Sequence, residues 1–237
     1  MEQTEPIISA NYYHIYNRGI NSCNLFETDE DYNHFLSLHA KYIDPIADTY
    51  AYVLMKNHFH LLVQIKDDII YKLTNTDKSI DPVAFEINKW ETKPDSVADL
   101  SALKDERKNI ADLSALNGKK PNPTRHFSHL FNAYAKYYNK RYNRHGALFE
   151  RPFKRKLIDS KEYLKQAIIY IHNNPIHHGF CTSSIEYPWS SYLTSLSNDP
   201  TRLKRNELIA WFDDTENFKQ CHQSVNHNED IGKWFDE

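Results

Sequence analysis

An α+β fold, an antiparallel sheet with helices packed on it, is predicted by three features of the sequence. Short aromatic and β-branched runs bounded by turn residues read as strands. Longer segments with apolar residues at three- and four-residue steps read as amphipathic helices. These segments follow one another as β-α-β-β-α-β-α, an elaborated ferredoxin-like order. At 237 residues and 40% hydrophobic content, the chain suits one elaborated domain better than two independent ones.

Residues 11–17 (NYYHIYN) are aromatic and β-favouring and end at Arg18-Gly19, which marks a first strand closed by a turn. Thr28 through Tyr42 carries Tyr32, Phe35, Leu36, Leu38 and Tyr42 at mostly helical spacing, with Asp31 three residues after Thr28 in an approximate capping arrangement. Thr49 to Ile65 holds two apolar stretches flanking Lys56-Asn57, a hairpin pattern. From Phe127 the positions Leu130, Phe131, Tyr134 and Tyr138 predict a helix to about Asn143, ended by His145-Gly146. Ala147 to Ile158 reads as a basic strand in which Pro152 marks an edge position or a bulge. A last helix starts at the Asp159/Glu162 pair, buries Leu164, Ile168 and Ile171, and is expected to stop at Asn173-Asn174-Pro175 and Gly179.

Two regions fall outside this pattern. Residues 69–124 form a polar, acidic insertion in which ADLSAL occurs twice, read as short helices or mobile polypeptide because structureless loops of that length are uncommon in compact domains. The 193–237 extension carries Leu208, Ile209, Trp211, Phe212 and Phe218, enough for a small docked helical piece.

Composition narrows the function. Gly is scarce at 5 residues, and no GxGxxG or Walker-type run is present, which removes glycine-rich phosphate loops as the organising chemistry. Three widely spaced cysteines form neither a disulfide framework nor a paired zinc clip, so a reducing cytoplasm is the expected location. No signal segment and no run of about 18 apolar residues occurs, so no membrane association is expected. The net charge of −3 hides an asymmetry: Arg125 to Gln166 holds eleven Lys/Arg against three acids, a local +8 that leaves −11 for the remainder. A charge run on one helix is usually a solvated face, but this one continues through a helix, a turn and a strand, as a nucleic-acid surface would.

His58 and His60 lie two apart on a predicted strand, so both project from one face while Phe59 points into the core. That spacing suits two imidazoles converging on one cation, although structural or surface histidines also arise at it. Tyr170 and Asn174 are four apart and so lie one turn apart on one helix face, where packing and a helix stop are equally good local explanations.

The segments YYHIYNRG (12–19), NHFHLLV (57–63), YNKRYNRHGALFERPFK (138–154), YIHNNPIHHGF (170–180) and YPWSSY (187–192) resemble the HUH single-tyrosine transposases, especially the REP-associated tyrosine transposases. The resemblance covers residues 11–68 and 125–192 and implies an HUH catalytic domain over 1–68 and 125–192. It implies that His58 and His60 are metal ligands, Asn174 a third, oxygen ligand, and Tyr170 the nucleophile that cuts single-stranded DNA through a 5′-phosphotyrosine intermediate. Such an open site with mixed donors suits Mg²⁺ or Mn²⁺ better than zinc, although two imidazoles are soft for magnesium. The implied partner is single-stranded or hairpin DNA, and the implied assembly is a homodimer, to which an exposed sheet edge would lend itself.

The expected DNA contacts are Arg18, Lys136, Lys140, Arg141, Arg144, Arg151, Lys154 and Arg155, with Tyr137, Tyr138 and Tyr142 interleaved among them for base stacking, against which stands the packing of Tyr134 and Tyr138 into the core. His14, like Arg18, lies near a strand end from which it could approach DNA, but spacing alone places neither. Two competing readings remain: a domesticated, non-cleaving hairpin or single-stranded DNA-binding protein, and a metal hydrolase activating water at His58 and His60. The hydrolase would have no need of Tyr170, and only the tyrosine enzyme forms a denaturant-resistant protein–DNA adduct.

Overall fold

The structure is a computed structural model that describes residues 5–67, 69 and 120–223. The repeated ADLSAL segments, most of the 69–124 insertion and the end of the C-terminal extension lie outside the described residues. The predicted element order is found. Strands β1 (Tyr12–Arg18), β2 (Ala47–Leu54), β3 (His58–Ile65) and β4 (Lys154–Ile158) alternate with helices α1 (Asp29–Tyr42), α2 (Pro123–Arg141) and α3 (Lys161–His177). Three short helices follow: α4 (Tyr192–Leu196), α5 (Arg205–Trp211) and α6 (Thr215–Gln223). The sheet order is β2-β3-β1-β4 with every neighbouring pair antiparallel, the ferredoxin-like arrangement.

Alternation along the strands divides the interior into two cores. Phe59, Leu61 and Val63 of β3 join Tyr13 and Ile15 of β1 beneath α1 and α2, where Phe35, Phe127, Leu130 and Tyr134 complete the packing. Leu62, one residue out of phase, joins Ala51, Val53 and Ile158 on the other face beneath α3, with Leu164, Ile168 and Ile171. A side-chain period of two forces this separation. The sheet is therefore covered on both faces, and each fully buried Phe, Leu or Ile contributes about 1.5–3 kcal/mol relative to exposure.

Helix boundaries follow their caps. The Asp31 carboxylate accepts from the backbone N–H groups of Thr28 (3.0 Å) and Glu27 (2.9 Å), which fixes the start of α1. Helix α2 starts four residues earlier than the apolar pattern predicts, because Asn122 caps it and Pro123 occupies the first turn, where a missing N–H costs nothing.

Two expectations need correction. The basic strand predicted over 147–158 is ordered as a strand only from Lys154; Leu148 and Glu150 still bond to Ile20 N–H and Arg18 C=O, but Pro152 cannot donate to a ladder and interrupts it. Helix α3 does not stop at Asn174-Pro175 but runs through Pro175 to His177, capped by Ser160, whose hydroxyl accepts from Tyr163 N–H. Pro175 removes one backbone donor near the helix end, a loss the last turn tolerates: His178 N–H still bonds to Asn174 C=O and Phe180 N–H to Pro175 C=O. Asn174 consequently sits inside a helix with a fixed side-chain direction.

Helices α5 and α6 bring Leu208, Phe212 and Phe218 into the core under α3. Among the described residues no helix is long and apolar enough to cross a membrane.

Candidate active site

His58 opens β3, and His60 follows on the same face, the face covered by α3. Helix α3 crosses this face and delivers Asn174 and Tyr170. Asn174 Oδ1 lies 2.9 Å from His58 Nε2, while His58 Nδ1 lies 2.7 Å from Asn57 Oδ1, so both ring nitrogens of His58 are engaged. The Tyr170 ring meets His60 edge-on, with centroids 5.4 Å apart and planes at 89°. The four residues that the sequence singles out, 116 positions apart at their widest hydrogen-bonded pair, are thus brought into one cluster.

Burial sets the charge state. His60 is 2% exposed, and its pKa is pushed well below the usual imidazole value, chiefly by desolvation and further by His14, His58 and His178. It is therefore neutral at physiological pH, the form that a metal ligand requires.

Among the described residues His60 Nε2 and Asn174 Nδ2 are buried without a hydrogen-bond partner. The 2.9 Å between His58 Nε2 and Asn174 Oδ1 matches the spacing of about 3 Å between neighbouring ligands placed at right angles about 2.0–2.1 Å from one ion. No group of three or more His, Cys, Asp or Glu residues among those described is placed to hold a metal, so the set depends on the Asn174 amide as its third donor. Two imidazoles and one amide oxygen fit a divalent cation that keeps open positions.

A cavity of about 450 Å³ leads to the histidines and is lined by Tyr16, Asn17, Arg18, Asn57, His58, His60, Glu150, Lys154 and His178. Of the eight basic residues expected at the DNA surface, Arg18 and Lys154 line this cavity. Arg18 Nε pairs with Glu150 at 3.0 Å, an exposed pair of modest strength. A neighbouring cavity of about 730 Å³ shares Asn17 and Glu150 and takes in Arg151 and Arg155. Arg155 points away from the histidines, bonding Thr124 Oγ1 at 3.2 Å with its guanidinium over the Phe153 ring.

Lys136, Lys140 and Arg141 lie on α2, which covers the opposite sheet face, and Arg144 follows its C-terminus. Lys136 and Lys140 are exposed, Arg141 pairs with Glu30 at 2.7 Å, and Arg144 bonds Asn139. Of the interleaved tyrosines, Tyr138 is buried, and the Tyr137 and Tyr142 hydroxyls both donate to the buried Asp31.

Sequence reasoning left three site residues unplaced. His14 reaches His60, His178 packs against His58 with ring centroids 4.8 Å apart, and Asn57 holds the outer nitrogen of His58. The alternation Tyr12-His14-Tyr16-Arg18 carried the signal for His14, but only the β1–β3 register, which sets Tyr16 across from His60, turns it into a contact.

No protein-family profile matches the chain, and no curated protein matches it. Among solved structures the chain is similar to a REP-associated tyrosine transposase bound to a REP hairpin, with 11% identity and a TM-score of 0.49 over 84% of this chain and 86% of that one.

Proposed function

We propose that this protein is a divalent-metal-dependent enzyme that cuts and rejoins single-stranded DNA, with Tyr170 as nucleophile and His58, His60 and Asn174 as metal ligands. The observation that carries the reading is the convergence of Asn174 Oδ1 on His58 Nε2 at 2.9 Å, with Tyr170 one helical turn earlier against His60. A helix stop or a packing tyrosine requires no such meeting with two strand histidines.

In the reaction, Tyr170 Oη attacks the phosphorus, the bond to the 3′ oxygen breaks, and the phenolic proton ends on the released 3′-hydroxyl. The product is a 5′-phosphotyrosine, and the phosphodiester energy kept in it allows a 3′-hydroxyl to reverse the step without ATP. A phenol with a pKa near 10 needs assistance at neutral pH. A bound divalent cation, Mg²⁺ or Mn²⁺, would supply it by polarising the phosphate and stabilising developing negative charge. Arg18 and Lys154 at the cavity mouth suit phosphates of the incoming strand.

Tyr170 is only 2% exposed. Cleavage therefore requires DNA binding to open a path to its hydroxyl. The same burial favours a second reading, a protein that holds single-stranded or hairpin DNA without cutting it.

One experiment separates the two. Wild type and Tyr170→Phe are incubated with single-stranded hairpin DNA and Mn²⁺ and run on a denaturing gel. The enzyme reading expects a covalent adduct with wild type, mapped to the peptide containing Tyr170, and none with Tyr170→Phe, which keeps ring packing, metal binding and DNA affinity. Adduct formation by Tyr170→Phe removes the nucleophile assignment. No adduct from wild type on any single-stranded substrate leaves the binding protein.

A further inference from the structure

The inner nitrogen of His60 is held by another histidine. His14 Nε2 lies 2.8 Å from His60 Nδ1, and both side chains are buried, at 0% and 2% exposure. The rings are tilted by only 16° with centroids 5.0 Å apart. A centroid separation that large with so short an N···N distance means that the rings meet edge to edge, with the contact along the ring planes where the imidazole lone pair and N–H lie.

One proton serves this contact, and the proposed metal site decides which ring carries it. His60 Nε2 is buried without a hydrogen-bond partner among the described residues. A coordinating neutral imidazole keeps its proton on the other nitrogen. A cation on His60 Nε2 therefore places the proton on His60 Nδ1, donated to His14 Nε2.

We infer that His14 is a positioning residue for the metal site: it accepts the Nδ1 proton of His60, fixes that ring's tautomer and orientation, and aims Nε2 at the cation. The inference rests on the proposed metal reading and deepens it. Asn57 does the corresponding work on His58 with its side-chain oxygen. The unusual feature is an acceptor that is itself an imidazole and must hold its own proton on Nδ1.

The test is Mn²⁺ binding, followed by electron paramagnetic resonance and calorimetry, for wild type, His14→Phe and His14→Gln. Phe fills the space but accepts no proton, and about 10- to 100-fold weaker Mn²⁺ binding is expected, the range for lost outer-shell partners. The Gln carboxamide oxygen can stand near the position of Nε2 and accept from His60, so His14→Gln is expected to recover most of that loss.

Because His14→Phe can fail to fold, long-range ¹H–¹⁵N spectra of metal-free wild type provide an independent readout, with His60 expected as the Nδ1–H form. The inference is overturned if His14→Phe folds and binds Mn²⁺ within about twofold of wild type. It is also overturned if His14→Gln folds but is no better than His14→Phe, or if His60 carries its proton on Nε2. In each of these cases wild-type Mn²⁺ binding leaves the functional reading standing. Failure of wild type to bind Mn²⁺, with or without DNA, removes both.

Discussion

The amide of Asn174 sits 1% exposed, with its nitrogen unpartnered among the described residues and its oxygen 2.9 Å from His58 Nε2. If that oxygen is a ligand, Asn174→Ala should weaken Mn²⁺ binding at least as much as the loss of an outer-shell partner, about 10-fold or more. Asn174→Asp keeps an oxygen donor and adds charge, so it should bind Mn²⁺ at least as tightly as wild type. Calorimetric titration of the two variants checks this, and wild-type affinity in Asn174→Ala would remove the residue from the ligand set. Gly19 shows a different constraint at the same scale. Its backbone is extended, yet a Cβ there would lie 2.0 Å from the Cys23 carbonyl oxygen, so close approach rather than a special φ requires glycine at the end of β1.

Helix α3 carries the proposed nucleophile and one of the three proposed ligands, and α6 and Ser191 hold its far side. His172 Nδ1 meets His222 Nε2 at 2.9 Å, His172 Nε2 meets Ser191 Oγ at 2.8 Å, and Asn173 Nδ2 donates to the His222 carbonyl at 3.0 Å. Burial pushes the pKa of His222 down to about 4 from 6.5, partly offset by its bond to the Phe218 carbonyl. Between these two values the unfolded chain binds a proton at His222 that the folded chain does not. Stability therefore rises with pH across that window and is lost as pH falls from 6.5 toward 4. One such proton gives a slope of up to about 1.4 kcal/mol per pH unit. Thermal melts across this range should show the acid loss in wild type, while His222→Gln should be less stable at pH 7.5 and show a flatter acid slope. An unchanged slope would assign the titration to other groups.

Over the whole molecule, positive charge is divided between two faces of the sheet. Arg18 and Lys154 line the cavity leading to His58 and His60, while Lys136 and Lys140 are exposed on α2, across the sheet. Charge reversal at Arg18 and Lys154 should abolish adduct formation even at saturating DNA. Lys136→Glu with Lys140→Glu should at most weaken binding, lowering the salt slope by about 0.7 per lost phosphate contact on a single strand, and leave the adduct yield at saturation unchanged. Titrations at several salt concentrations, paired with adduct gels, separate these outcomes. The edges of the sheet also differ. The outer edge of β2 is occupied by the segment around Ser190, with Leu54 N–H bonding Trp189 C=O and Ser191 N–H bonding Tyr52 C=O. A homodimer formed by extending the sheet would have to use β4, and sedimentation of a Leu157→Lys variant beside wild type would detect it.

Local periodicity determined a good deal. The period-two alternation of β3 was enough to place His58 and His60 together and Phe59 opposite, and the four-residue step was enough to align Tyr170 with Asn174, because strand and helix geometry set side-chain direction without reference to the rest of the chain. The element order and the α+β class were legible for the same reason. Tertiary structure decided the remainder. That His14 meets His60, 46 positions away, depends on strand register. The approach of Asn174 to His58 depends on α3 continuing through Pro175, against the local preference to stop. The placement of the basic α2 on the sheet face away from the histidines depends on which side each crossover packs, and composition carries no information about sides. Sequence periodicity specifies which residues share a face, whereas register, crossover and packing, which are long-range and collective, determine which faces meet.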